Sequence, residues 1–502
     1  MRIYNEGQLN VSEGVSLTST SQDNTKVVIQ PKLDIYTMFD LVSSQNTDGN
    51  QTISHISISG EYGSNTAQRG IRVKNRNNVR ITYCNIEGTP FFGLVAFSNF
   101  RDGAYQVIDF PSSSLDYWPD GDPTDIKIKE KWMLNPITNF EFSHSVVTNC
   151  GYWNGAPDTY PLAPSTRIFH VKDSTYHHNT ITSDQHSFCL TSCSGFWENV
   201  EVYDNHFNGN PMGWRSDYPI EVWYTLNCKF YRNTANGSFS IAVGKYTKVY
   251  DNTIDSLSTR GLGIEFTGQS VGEVYQNNIK GSGYGIVVGA SYGHTPHYYF
   301  VDDVEVHNNI IQDVNGNSIR IAGDGNSGFW GRSSNIKVYN NTLDGNINSV
   351  FPMIHIYQDD NVNMYDIKVK NNIVVNGKGT AGWTEKNNSE AVIETDIQNN
   401  LFYNNAYNFW SDDNPINTII ADPLFVGGND YHLQSSSPAI DEGVDVGLPY
   451  IGSAPDIGAY EYGFLRGDLD GDGCVDITDL AMFVELWLQC NDPQNPDCEF
   501  LF

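Results

Sequence analysis

Basic residues are scarce in this chain: 29 Lys and Arg stand against 59 Asp and Glu, a net charge of -30. So acidic a surface repels phosphate backbones and anionic headgroups, which argues against nucleic acid and acidic membranes as partners. A strongly anionic polymer is also a less natural substrate unless calcium or a local basic patch intervenes. Long apolar runs are missing, and none approaches the roughly eighteen residues of a membrane-crossing helix. No secretion leader is visible: the chain opens MRIYNEGQLNVSEGVSLTS, already within what reads as a first coil, so the start is expected to be truncated or processed. The eight cysteines are Cys84, Cys150, Cys189, Cys193, Cys228, Cys474, Cys490 and Cys498. Those before residue 464 are scattered and read mostly as small core or strand residues, whereas Cys490 and Cys498 bracket NDPQNPD and suit a local disulfide in an oxidising compartment.

What is abundant is repetition. From about Ile168 to Ile373 an alternating apolar run, a polar turn, a second alternating run and an Asn return together, as in IAVGKYTKVYDNTI (241–254) and IEFTGQSVGEVYQNNI (264–279). Apolar residues at every second position, with no sustained helical spacing, predict coils of short strands stacked into an all-β parallel solenoid. Such stacking brings equivalent residues about 4.8 Å apart. Asn179, Asn205, Asn233, Asn252, Asn277, Asn308, Asn341, Asn371 and Asn399 are then expected in one hydrogen-bonded file.

One strand class supplies the candidate chemistry. Aligned as FHV, FCL, IEV, IAV, IEF, IVV, IRI and IHI, its middle residues face outward: His170, Cys189, Glu221, Ala242, Glu265, Val287, Arg320 and His355. Glu221 and Glu265 fall two coils apart, about 9.6 Å between backbones. Carboxyl groups separated by about 6.5–9.5 Å suit inverting hydrolysis, in which one protonates the leaving oxygen and the other activates water. Trp223 also points outward, ready to stack on a sugar ring, and Lys245 ends the strand between the two glutamates. Elimination on a uronate needs instead a base and a cation for the carboxylate, for which Lys245 and either Arg215 or Arg320 are the candidates. Insertions 101–135, 290–300 and 325–333 leave one end of this strand class, and 151–166 and 208–218 enter the other, so loops wall in a groove. Their aromatics, Trp214 among them, suit the apolar faces of sugars. His177 and His178, adjacent on another strand, are expected on opposite faces and lack the spacing of a zinc site.

The coil periodicity, the NN-x-I or N-T-I turn, and the segment ADPLFVGG...YHLQSSSPAID...PDIGAYEYG (421–463) resemble the right-handed parallel β-helix proteins typified by pectate lyases. The resemblance covers roughly residues 1–463, with 411–463 as the closing segment. It implies a secreted or cell-surface protein acting on polysaccharide, and it admits a lyase. No complete lyase motif and no paired-aspartate signature of polygalacturonase-type hydrolases is present.

After EYG the composition changes. In GDLDGDGCVDITDLAMFVELWLQ, residues Asp468, Asp470, Asp472, Cys474, Asp476 and Asp479 occupy the ligand positions of a calcium loop, Cys474 through its carbonyl, with Gly473 at the sharp turn. Asp in the last position makes residues 464–502 resemble a type I dockerin, which implies a cohesin-type or cell-surface partner. Dockerins carry two such loops and this chain shows one, so a calcium-stabilised cap or surface anchor is the alternative. Two function classes stay open: a polysaccharide hydrolase or lyase, and a non-catalytic carbohydrate-binding or self-associating surface protein.

Overall fold

The computed structural model describes residues 2–19, 27–62, 65–98, 135–151, 164–183, 188–192, 195–209, 218–256, 261–290, 300–323, 331–346, 351–358, 362–386, 392–411, 414–463 and 477–486. Strands dominate, and from Arg2 to Ile420 nearly every pairing is parallel, each strand bonding to its equivalent one coil later. The chain is a parallel β-helix of the kind its periodicity predicts.

One rung explains the rest. Ile220–Leu226 runs along a first face and bends at Tyr224; Lys229–Tyr231 forms a second face; Thr234–Ala235 forms a third. Corners fall where the backbone turns left-handed, at Tyr224 (φ 63°), Asn227 (φ 51°) and Arg232 (φ 51°), and the next rung repeats them at Val243, Tyr246 and Asp251. A left-handed residue breaks the two-residue alternation, so each corner resets which side chains face in. Between corners the inward positions are apolar and fully buried, such as Val222, Phe230 and Ile254, and they form one core from Val11 to Trp410. Truncating a single ring, as in Phe230→Ala, costs about 3–5 kcal/mol. The free thiols Cys84, Cys150, Cys189 and Cys228 are part of this packing, as expected for small core residues.

The third corner carries the asparagine file. Asn277 donates from Nδ2 to the carbonyls of Val249 (2.9 Å) and Tyr275 (3.0 Å) and to Asn309 Oδ1 (3.0 Å), while its Oδ1 accepts from the backbone N–H (3.1 Å) and Nδ2 (2.9 Å) of Asn252. The file runs through Asn179, Asn205, Asn233, Asn252, Asn277, Asn309, Asn341, Asn372 and Asn400. Asn308, Asn371 and Asn399, the members expected at three of these rungs, instead take the left-handed position one residue earlier and face out. There they hold the closing segment: their Nδ2 groups donate to the carbonyls of Ala459, Val444 and Glu442 at 2.8–2.9 Å. The segment packs Leu433, Ala439 and Ile457 against Ile373, Val375 and Leu401 of the third face.

The second face is covered by two structural ladders. Tyr203, Tyr231, Tyr250, Tyr275, His307 and Tyr339 stack with ring centroids 4.8–5.1 Å apart, the rung spacing itself. Beside them Lys229 pairs with Glu201 (2.9 Å), Lys248 with Glu273 (2.9 Å) and Lys337 with Glu305 (2.7 Å). The scarce basic residues of this face are thus spent on neighbouring rungs.

In the tail, Ile477–Leu486 is helical, and Leu480, Phe483 and Val484 are exposed on it. Asp468, Asp470, Asp472, Cys474 and Asp476 lie outside the described residues, as do Trp487, Leu488, the insertion 101–134, Trp214 and Arg215.

Candidate active site

On the first face the pairing register defines the outward file. It reads Asp40, Arg72, Val95, Arg167, Thr191, Glu221, Ser240, Glu265, Val287, Arg320, His355 and Trp383. Glu221, Glu265, Val287, Arg320 and His355 stand together as the alternation predicts. Three positions differ. Ser240, not Ala242, separates the two glutamates, because Phe239 rather than Ile241 is the partner of Ile220 and of Ile264. Arg167, not His170, occupies its rung: His170 sits on a left-handed corner (φ 55°), is buried, and accepts from the backbone N–H of Phe196 at 3.3 Å. Burial pushes its imidazole down to about 4, toward the neutral form, and places it at the corner rather than on the outward file. Thr191 replaces Cys189, which is fully buried and points its thiol at the Ile181 carbonyl.

The carboxylate pair is asymmetric. Ser240 Oγ donates to Glu265 Oε2 at 2.7 Å. Desolvation raises the Glu265 carboxyl above its ordinary value, against the lowering effect of that hydrogen bond. Glu221 is half-buried on the same file, and Trp223 stands two residues further along, outward and half-buried. Ser240 (4% exposed), between the two acids, and Ala242 (5%), beside Trp223, are small and covered by their neighbours. Lys245 lies on the intervening rung but beyond the left-handed Val243, five residues from Ser240, with Nζ 4.9 Å from the Tyr246 ring centre. It belongs to the next stretch of the coil, not to the glutamate file.

A second polar group follows two rungs on. Arg320 stacks over the Tyr357 ring at 4.8 Å, and His355 Nε2 lies 3.1 Å from Glu385 Oε2. Burial lowers the His355 imidazole, the nearby Arg320 adds to this, and Glu385 opposes it. Tyr357, Trp383 and Glu385 complete this group and were missed by alignment, which stopped at IHI; continuing through IHIYQ and the next rung reaches them. At the opposite end Asp40 and Arg72 form a bidentate pair, and Arg167 stacks on Phe169 at 5.1 Å.

His177 and His178 depart from expectation as well. The left-handed φ of His178 (54°) turns its ring back toward its neighbour, and their Nδ1 atoms approach to 2.9 Å.

Residues 271–446, about a third of the chain, match a family model described as Disaggregatase related. No curated protein matches. Among solved structures, the chain is similar to the A-module of the Azotobacter vinelandii mannuronan C-5 epimerase AlgE4, at 13% identity over 77% of this chain and 87% of that one, with a TM-score of 0.36. It is similar to the Streptococcus pneumoniae surface protein and adhesin PfbA, at 11% identity over 82% and 97% of the two chains (TM-score 0.42). A tailspike protein of the E. coli bacteriophage HK620, in complex with a pentasaccharide, matches at 15% identity over 74% of this chain and 59% of its own (TM-score 0.41). The parallel pairing register, not these distant likenesses, establishes the β-helix.

Proposed function

We propose that this chain is an extracellular or cell-surface polysaccharide hydrolase that works along the first face. Glu265 serves as general acid and Glu221 as the base that activates water. The reading rests on one observation: both carboxylates stand on one outward file, two rungs apart, with only the small Ser240 between them. Backbones about 9.6 Å apart allow the two carboxyl groups to reach the about 6.5–9.5 Å separation of inverting glycosidases, with room for a water beside the scissile bond. Desolvation of Glu265 favours its protonated form, as an acid catalyst needs. Trp223 offers a ring for the sugar at the cleavage point, and Arg320, His355 and Trp383 line the continuation of the file as further subsites. The test is a panel of polysaccharides assayed for new reducing ends, with the anomeric form of the first product read by NMR; inversion supports the reading and retention opposes it.

A second reading has its own support in the His355–Glu385 contact beside Arg320. There Arg320 holds a uronate carboxylate and neutral His355 takes the proton for elimination, in the role that sequence spacing gave to Lys245. An unsaturated product absorbing in the ultraviolet distinguishes it from hydrolysis.

The tail reading is part of the same proposal. Five aspartates and a carbonyl are a hard oxygen donor set suited to calcium, and the helix Ile477–Leu486 begins where the exit helix of such a loop is expected. The exposed Leu480, Phe483 and Val484 then face a cohesin-type or cell-surface partner. Self-association through coil ends is the competing use of the molecule, read by its mass in solution.

A further inference from the structure

Three histidines converge on the third corner, away from the candidate active site. His144 follows the strand Phe140–Ser143, and on the next rung His177 ends the strand Val171–His177 and His178 follows it. One ring nitrogen from each lies within 4.8 Å of the others. His144 and His178 both take the left-handed corner position one rung apart, with ring centroids 4.6 Å apart and a 26° tilt; His177 stands edge-on to both. His178 is exposed and the other two are half-buried, so the group opens to solvent.

The surroundings give the nitrogens unequal roles. His177 Nε2 is 3.7 Å from Glu141 Oε1, and His178 Nε2 is 3.7 Å from Asp204 Oδ2. A carboxylate beside the far nitrogen of an imidazole favours a proton there and frees the near nitrogen as a lone-pair donor, the arrangement that supports metal-bound histidines. Here it leaves the Nδ1 atoms of His177 and His178 facing each other at 2.9 Å, with His144 alongside. Two facing lone pairs repel unless a proton or a cation joins them. We propose that His144, His177 and His178 bind a divalent transition-metal cation of the zinc class, with Glu141 and Asp204 as orienting carboxylates. Zinc–nitrogen bonds of about 2.0–2.1 Å in tetrahedral geometry need the nitrogens about 3.4 Å apart, so modest side-chain rotation closes the set. Three imidazoles select zinc, nickel or copper over calcium, which separates this site from the carboxylate loop of the tail.

The experiment uses the full chain freed of any affinity tag, in excess calcium to saturate the tail. Titration with zinc chloride by calorimetry and with cobalt(II) by visible absorption is expected to give one equivalent per chain and a cobalt spectrum of low coordination number. His144→Ala, His177→Ala and His178→Ala each weaken binding at least about tenfold, Glu141→Gln weakens it by about 10–100-fold, and His206→Ala leaves it unchanged. His178 is exposed, so a second variant, His178→Gln, checks the result with little risk to folding. Absence of binding, or binding that the three histidine variants do not alter, overturns the proposal and leaves the cluster as a hydrogen-bonded, stacked corner.

Discussion

Ser240 donates its hydroxyl to Glu265 from the neighbouring rung, 2.7 Å away, on the file that also bears Glu221. This bond lowers the Glu265 carboxyl while burial raises it. If Glu265 is the acid, activity falls as pH rises through its pKa. Ser240→Ala removes the lowering influence, so the alkaline limb of the pH–rate profile moves to higher pH. An unshifted limb assigns the acid elsewhere.

The two kinds of corner asparagine differ in what they support. Asn277→Ala strands buried donors and acceptors of both adjoining rungs and costs about 2–4 kcal/mol by denaturant unfolding. Asn308→Ala leaves the core file intact but cuts the outward bond to Ala459 and the 2.8 Å contact of its Oδ1 with His307 Nδ1, costs about 1–2 kcal/mol, and is seen chiefly as faster proteolysis after residue 420.

The closing segment contains a pH-sensitive carboxyl. Burial, then Asp456, lifts Glu461 from 4.5 to about 7. Its folded value lies above its unfolded one, so its stabilising effect is complete below about 4.5 and lost as pH rises through about 7. Thermal unfolding at pH 5 and pH 8 is expected to show a lower midpoint at pH 8, and Glu461→Gln reduces that difference.

With calcium bound as proposed, its removal is expected to act on the tail. Chelation is expected to reduce the ellipticity contributed by the helix Ile477–Leu486, and Asp470→Ala or Asp472→Ala weakens calcium binding at least about tenfold by calorimetry. The unfolding of the solenoid stays unchanged.

The solenoid was legible because alternation and the corner asparagine recur whatever the loop lengths. Register was less so. IAV (241–243) and FSI (239–241) both offer an apolar pair around a small residue, and only the left-handed Val243, a β-branched residue in a conformation it rarely adopts, excludes the first. The same hidden corner displaced His170 from the file and put Lys245, expected at the strand end between the glutamates, on the next stretch of the coil. In the NN dipeptides either residue can be the inward one; the backbone assigns the first to the corner and the second to the core. The histidine cluster was out of reach for a different reason: His144 meets His177 and His178 across a long insertion, and only the stacking of rungs joins them.

The most direct test of the central claim is the initial rate of reducing-end release from a cleaved polysaccharide by the parent chain and by Glu221→Gln and Glu265→Gln. Both variants are expected to keep the parent's circular dichroism and to lose about 10²–10⁴-fold in rate, the contribution of a positioned acid or base. Rates equal to the parent's, or glycan binding with no cleavage by any of the three, contradict it.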